Sequence, residues 1–436
     1  MTGIAEDRLA ELRVAYGAKR PASLEHHVQA RVVMPGGNTR SVLHMTPFPF
    51  VIARGHADIL TDIDGFDYID CAGEFSAGLY GHDTPAISDA LQVALADGLV
   101  LSGPNRYEAS FAALLCSRFA SIERIRFCNS GTEANLFALQ TARNVTGRRA
   151  VMAFEGAYHG GVLTFGHGPS PMAVPFDWRM APFNDTDATR AAIRAQADEL
   201  AAIIVEPMIG AAGNIPARSE FLQMLRHEAT RAGAILIFDE VKTSRLGAGG
   251  LQGEYGVIPD MTTLGKYLGG GLPFGAFGGR ADVMDRFDPA RPDALKHAGT
   301  FNNNVLSMAG GLAGLRKVFT PARAARFLTE CETFRTGLNA RFAKAGLAVR
   351  ASGMGSILSL HLGDDPPETL ARIDPRSITL RQLVHLDALD RGLALTPRGD
   401  IYLSLPMDEA RRDRIADILI GAVQEELPFV LGTVSQ

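Results

Sequence analysis

A chain of 436 residues, 46% hydrophobic and only 21% charged, is globular and long enough for two or three packed units at about 150 residues each. Its 43 basic and 48 acidic residues sum to −5, so no overall positive field draws nucleic acid or an anionic membrane surface. The 46 glycines and 23 prolines imply many tight connections rather than disorder.

The stretch Met1 to Leu12 carries Glu6, Asp7 and Glu11 and no apolar core, unlike a signal or transit peptide. A helical pattern runs from about Ile4 to Tyr16, followed by the turn MPGGNTR at Met34 to Arg40. From about Asp64 to Val318, short apolar runs alternate with helix-length segments: RIRFC at Arg124, AVMAF at Ala150, AAIIV at Ala201, AILIF at Ala234 and FGAFG at Phe274. This is the pattern of parallel strands buried on both faces and joined by crossover helices, an α/β doubly wound, mostly parallel sheet. A charged amphipathic helix is expected over Pro321 to Ala345, with Thr320 as cap and proline at its first position. Short strands at SILSLHL and IYLSLP and a last helix near Asp408 to Glu426 complete a smaller α+β domain. The expected division is 1–63, an N-terminal arm belonging to the small domain; 64–318, the large domain; and 319–436, the C-terminal small domain. Cys71, Cys116, Cys128 and Cys331 form no Cys-x-x-Cys pair and read as reduced thiols, no apolar run is long enough to span a bilayer, and a cytoplasmic location is expected.

In open α/β sheets ligands lie at the carboxyl ends of the strands, so the residues just after each apolar run are informative. After RIRFC comes Asn129-Ser130-Gly131-Thr132, leading directly into a helix: either an ordinary N-cap or a cradle for a phosphate. After AVMAF, Tyr158 and His159 stand between glycines, as a plain loop or as a flat platform against a ligand; His159 is read equally well as structural. Glu206 and Asp239 end strands too apolar to hold a carboxylate without a partner, in a salt bridge or a site. Lys266 precedes Gly269, Gly270 and Gly271; a phosphate-binding P-loop would need Gly at 260 and Ser or Thr at 267, where Asp260 and Tyr267 stand. A lysine in such a place, if not simply a surface charge, is suited to forming Schiff bases. Phosphate cradle, aromatic platform, buried aspartate and lysine are together the parts that hold pyridoxal 5'-phosphate. The histidines, His26 and His27 included, make no metal pattern, and no metal is assigned.

With these residues the sequence resembles the class III aminotransferases, of the fold type I pyridoxal-phosphate enzymes. The likeness runs from MPGGNTR through FCNSGTEAN, FEGAYHGG, VEPMIGAAG, IFDEVKTSR, TLGKYLGGGLPFGAFGG and HAGTFNNN. It implies that Ser130, Gly131 and Thr132 bind the phosphate, that Tyr158 stacks on the ring with Val241 on its other face, and that Glu206 lies in the cofactor site. It further implies that Asp239 partners the pyridinium and Lys266 is the Schiff-base lysine. Thr300 resembles the residue that reaches the phosphate from the neighbouring subunit, which implies a homodimer with shared active sites. The motifs are related to the glutamate-1-semialdehyde aminomutases, but Lys242-Thr243-Ser244-Arg245 replaces their Gly-Phe-Arg run, and Asn38-Thr39-Arg40-Ser41-Val42 places arginine earlier than their Asn-Ser-Pro-Val-Arg. These segments and Thr396-Pro397-Arg398-Gly399 are more similar to aminotransferases of aromatic β-amino acids such as β-phenylalanine.

That resemblance implies transfer of an amino group from a β-amino acid to an oxo acid such as 2-oxoglutarate or pyruvate. Carboxylate-binding arginines are then expected, because guanidinium pairs bidentately with carboxylate; Arg40 and Arg398 are the candidates, as against solvated surface charges. Phe48, Phe50 and Tyr80 are either an apolar pocket wall or core. An aminomutase and a non-catalytic protein that only binds pyridoxal phosphate are the alternatives.

Overall fold

Residues 3–433 are described by the structure, a computed structural model; residues 1–2 and 434–436, the extremities of the first and last segments read above, lie outside them. The chain divides into two units. The larger comprises Thr84–Thr329 with Glu368–Ala371, and the smaller takes the chain up to Asp83, Glu330–Pro367 and the chain from Arg372 onward. The first boundary falls later than 63/64 because Asp67–Asp70 pairs in parallel with Leu393–Ala394 of the same unit. The second falls later than 318/319; Arg118 Nη1 donates to the carbonyl of Phe319 at 2.9 Å, tying that residue into the larger unit.

The larger unit is built on seven strands: β1 (Arg124–Cys128), β2 (Ala150–Phe154), β3 (Asp177–Ala181), β4 (Leu200–Val205), β5 (Ile235–Asp239), β6 (Met261–Gly265) and β7 (Gly275–Gly279). Their spatial order is β1-β7-β6-β5-β4-β2-β3. Every residue of β2, β4 and β5 is buried, as expected where helices cover both faces of a parallel sheet. Each fully buried Val, Leu or Ile there is worth roughly 1.5–3 kcal/mol. The helices Gly131–Thr146 and Thr186–Ala195 start on side-chain caps, Ser130 and Asp185, and Ser219–Ala232 ends on the left-handed Gly233.

The five apolar runs are all strands, but the last is not parallel. β7 runs antiparallel to both β6 and β1. The segment between β6 and β7 is too short for the crossover a parallel pair requires. Nor is the glycine content of β7 incidental: a Cβ on Gly275 would lie 2.1 Å from the carbonyl oxygen of Ser130, and one on Gly279 2.4 Å from that of Asp260. Two further strands have no purely apolar run: β3, a half-buried edge, and the threonine-containing β6.

In the smaller unit the N-terminal helix extends over Gly3–Lys19, and a second helix, Pro21–Val33, follows it where none was expected. Arg8 pairs with the buried Glu426 at 2.7 Å, joining the first helix to the last, Glu409–Leu431. The two expected strands, Ile357–Leu362 and Asp400–Tyr402, pair antiparallel, and a third that was not expected, Val349–Met354, pairs antiparallel with Ile357–Leu362. The helix Pro321–Lys344 begins in the larger unit, where Thr320 Oγ1 accepts from Arg323 N at 3.3 Å, and from Glu330 onward belongs to the smaller one. Among the described residues no helix is long and apolar enough to cross a membrane.

Candidate active site

Strands β1, β2, β4, β5 and β6 all run in one direction, so the turns that follow them emerge along one edge of the sheet. Ser130, Gly131, Thr132, Tyr158, Glu206, Asp239, Val241 and Lys266 are all on those turns or strand ends. Register fixes the two central members: Asp239 is opposite Thr263, and Lys266 follows three residues later, just past the end of the neighbouring strand.

The turn after β1 is a reciprocal cap. Ser130 Oγ accepts from Glu133 N at 3.2 Å, and the Glu133 carboxylate accepts from Asn129 N at 2.8 Å. The N–H groups of Gly131 and Thr132, at the first two helical positions, have no acceptor within the helix. With the hydroxyls beside them they fit a phosphate. Gly131 is required by packing: a Cβ there would lie 2.7 Å from Val241 Cγ1, and one on Gly265 3.1 Å from the same atom. Thr132 is pressed against the Tyr158 loop, since a Cβ on Gly160 would come within 2.2 Å of its Oγ1.

Asp239 is buried, 3% exposed, and three donors fix its carboxylate. Oδ1 accepts from Val241 N at 3.0 Å; Oδ2 accepts from Asn135 Nδ2 at 2.8 Å and lies 2.8 Å from His159 Nδ1. Asn135 in turn accepts from Thr263 Oγ1 at 2.6 Å, so the helix after β1, the loop after β2 and strand β6 all orient this one acid. Sequence reasoning passed over Asn135 and Thr263; the only signal was the placement of Asn135 one turn into the helix that starts at Gly131. Of the two readings of His159, the structure supports a bond to the aspartate, and its buried Nε2 has no hydrogen-bond partner among the described residues. This donor set fits a pyridine nitrogen presented to Asp239.

Glu206 has both oxygens occupied by backbone, accepting from Tyr158 N at 2.9 Å and from Gly210 N at 3.1 Å. Burial raises its carboxyl above the usual carboxylate range; His159, the Tyr158 N–H and Lys242 oppose that shift, while Asp239 adds to it. Its geometry is that of a residue holding the loop that carries Tyr158, whose side chain is partly exposed. Lys242, the departure noted in the sequence, is buried, and its Nζ donates to Asn214 Oδ1 at 2.6 Å. Lys266 itself has φ +55°, a left-handed backbone that ordinary residues seldom adopt and that clusters at functional sites. The turn after it is clamped by the helix Val305–Ala313: a Cβ on Gly311 would lie 2.2 Å from Leu268 O, and one on Gly270 2.5 Å from Gly310 C. Gly310 and Gly311 are therefore close-packing positions.

Thr300 lies on an exposed turn, and its neighbour Asn302 accepts from Asn129 Nδ2 at 3.0 Å, just ahead of Ser130. Arg40 and Arg398 are both in the smaller unit and rest on one ring, with guanidinium carbons 5.3 and 5.6 Å from the centroid of Phe75. Arg40 is ion-paired with Glu74, and Arg398 lies 3.4 Å from the buried carboxylate of Asp400. Phe48 packs on Tyr16 and Phe50 on Tyr68, centroids 5.4 and 5.1 Å apart; Phe48 and Tyr80 are buried, as the core alternative has them, and Phe50 is half-buried.

A family model described as aminotransferase class-III matches residues 42–419. A β-phenylalanine transaminase of Variovorax paradoxus is 49% identical over 419 residues, covering 95% of both chains. The crystal structure of a β-phenylalanine aminotransferase from the same organism superposes with a TM-score of 0.94 at 46% identity, over 97% of this chain and 98% of that one. A transaminase solved with pyridoxal phosphate bound is similar at 29% identity and a TM-score of 0.86, over 93% and 98%. The likeness extends through nearly the whole chain: this protein belongs to the class III aminotransferases and is a pyridoxal-phosphate-dependent transaminase.

Proposed function

We propose that the enzyme takes the amino group of a β-amino acid with an aromatic side group, such as β-phenylalanine, and passes it to an oxo acid such as 2-oxoglutarate or pyruvate. The observation that carries this reading is the near-full-length likeness to a β-phenylalanine transaminase. When bound, pyridoxal phosphate supplies the electron sink and carries the amino group between the two half-reactions. Lys266 would hold the cofactor and, as a free amine, would move the proton at the substrate carbon bearing nitrogen. Asp239 would keep a proton on the pyridine nitrogen, Ser130, Gly131 and Thr132 would take the phosphate, and Tyr158 and Val241 would face the ring. Glu206 acts through the Tyr158 loop.

Arg40 and Arg398 receive substrate carboxylates. In a β-amino acid the carboxylate is one carbon farther from the amine than in an α-amino acid, so carboxylate and side group exchange places in the site. The same reading includes a homodimer, in which Thr300 reaches the neighbouring phosphate, and a cytoplasmic location. Exposed Thr300 and Phe301 support the dimer, as do Leu99, Val100 and Leu101, where Val100 is 81% exposed: apolar side chains grouped in this way belong at interfaces.

A panel of donors with 2-oxoglutarate and pyruvate as acceptors tests the substrate. Turnover of β-phenylalanine that depends on an added oxo acid is expected, with ping-pong kinetics. Conversion of glutamate-1-semialdehyde without any acceptor, together with inertness toward aromatic β-amino acids, would identify an aminomutase instead. A cofactor-loaded protein that reacts with no amine would make it a binding protein.

A further inference from the structure

Gly73, Glu74, Phe75 and Ser76 have φ values of +51°, +46°, +52° and +82°, a left-handed turn built largely from residues that disfavour it. Such a run persists only where its surroundings impose it. Here Gly73 N donates to Asp70 Oδ1 and Gly78 N to Gly73 O, both at 2.9 Å, and a Cβ on Gly73 would lie 2.8 Å from the Cβ of Tyr402. The turn is thus pressed onto the strand Asp400–Tyr402, immediately after Arg398. What it presents is Phe75, against which both arginines lie, and Glu74, which ion-pairs with Arg40.

The two arginines are alike in exposure, 40% for Arg40 and 42% for Arg398, but their partners are not: the carboxylate facing Arg398 is 3% exposed and the one on Arg40 61%. An ion pair between two exposed groups contributes little and exchanges easily. Asp400 is therefore held in place by the fold, whereas Glu74 is free to turn away from Arg40 into solvent.

We propose that Glu74 is an internal stand-in for the substrate carboxylate: it occupies Arg40 until a substrate acid displaces it, and so sets the affinity for carboxylated substrates, while Phe75 holds the two guanidiniums in place. An incoming carboxylate replaces Glu74 like for like, with no change in the charge on Arg40. Glu74 and Phe75 are positioning residues, and the inference rests on Arg40 as a carboxylate receptor.

Glu74→Gln should lower the inhibition constant of 3-phenylpropanoate, an amine-free acid, by about one-and-a-half- to fivefold. It should raise by the same factor the ratio of kcat/KM for β-phenylalanine to that for 1-phenylethylamine, through KM rather than kcat. Glu74→Asp, which retains the charge on a shorter arm, should fall between. Phe75→Leu should lower the ratio and Phe75→Tyr restore it. An unchanged ratio and inhibition constant in both Glu74 variants, or equal changes for both donors, would overturn the proposal. Arg40→Ala, measured alongside, separates the two levels: if it leaves the ratio unchanged, the reading of Arg40 fails and takes this inference with it. If it lowers the ratio while Glu74→Gln does not raise it, only the role of Glu74 fails.

Discussion

The strand-end cluster of the larger unit and the Glu74–Phe75 turn of the smaller one, on which two arginines rest, are built on opposite principles. Around Asp239 the polar atoms are buried and held from several elements at once, by Asn135, His159 and the Val241 N–H. Around Phe75 the charges are partly exposed, and one of the two arginines is held by a side chain that solvent reaches freely. A cofactor has one shape and stays, so its site can be rigid. Substrates alternate, and groups that must grip and release different acids are better held by weak pairs.

The sharpest break of this contrast is at Lys266. Lys266→Ala should lower turnover by at least about 10⁴-fold, since nucleophile and proton carrier are lost together. After borohydride reduction, cofactor should map to the Lys266 peptide in the parent protein only; a label elsewhere would remove Lys266 from its role. Asp239→Asn should cost roughly 10²- to 10⁴-fold in kcat and leave His159 without its acid partner. If kcat persists, the buried network is structural and the contrast collapses.

In the smaller unit, Arg40→Ala and Arg398→Ala should each reduce kcat/KM for β-phenylalanine on the order of 30- to 10³-fold, as expected when one side of a charged hydrogen-bonded pair is truncated. 1-Phenylethylamine should be far less affected. Equal losses for both donors would show that the arginines support the fold and not the acid.

Rigidity of the cluster is tested by Gly131→Ala, where the new methyl would meet Val241 at 2.7 Å. A loss of about 1–3 kcal/mol in the melting of the protein is expected, with weakened cofactor retention. Unchanged melting would mean that the turn yields. The smallest effect is one of shape rather than size. His385, in the helix Arg376–Asp390, is pushed down to about 4 by burial, from an ordinary value of 6.5. The unfolded chain therefore binds the proton first, and stability falls as pH drops from about 6.5 towards 4. His385→Phe should flatten that limb of the stability–pH curve; an unaltered limb would place the acid sensitivity elsewhere.

The rigid region was the more legible from sequence. Ser130, Tyr158, Asp239 and Lys266 announce themselves because a strand end that must approach a phosphate or a ring needs small residues and caps around it. The antiparallel direction of β7 was not legible, since FGAFG reads the same either way; the clash that forces glycine there involves Ser130 O and Asp260 O, which only the fold brings near. The pairing of Asn135 with Thr263 is likewise a product of sheet order. The Glu74–Phe75 turn was missed for a different reason: left-handed backbone is signalled by glycine or asparagine, and here it falls on glutamate and phenylalanine, imposed by neighbours distant in sequence.

Val241 has one more consequence. Its methyl groups touch the positions where Gly131 and Gly265 would carry side chains, so one residue wedges apart the phosphate turn and the strand leading to Lys266. The three positions can vary only as a set. A larger residue at 241 cannot grow towards either glycine, and a smaller one would leave both unsupported, opening a gap that an alanine at 131 or 265 could fill. Descendants of this sequence that change Val241 should carry the compensating change at a glycine, and a library varying all three together should recover active enzymes that no single substitution reaches.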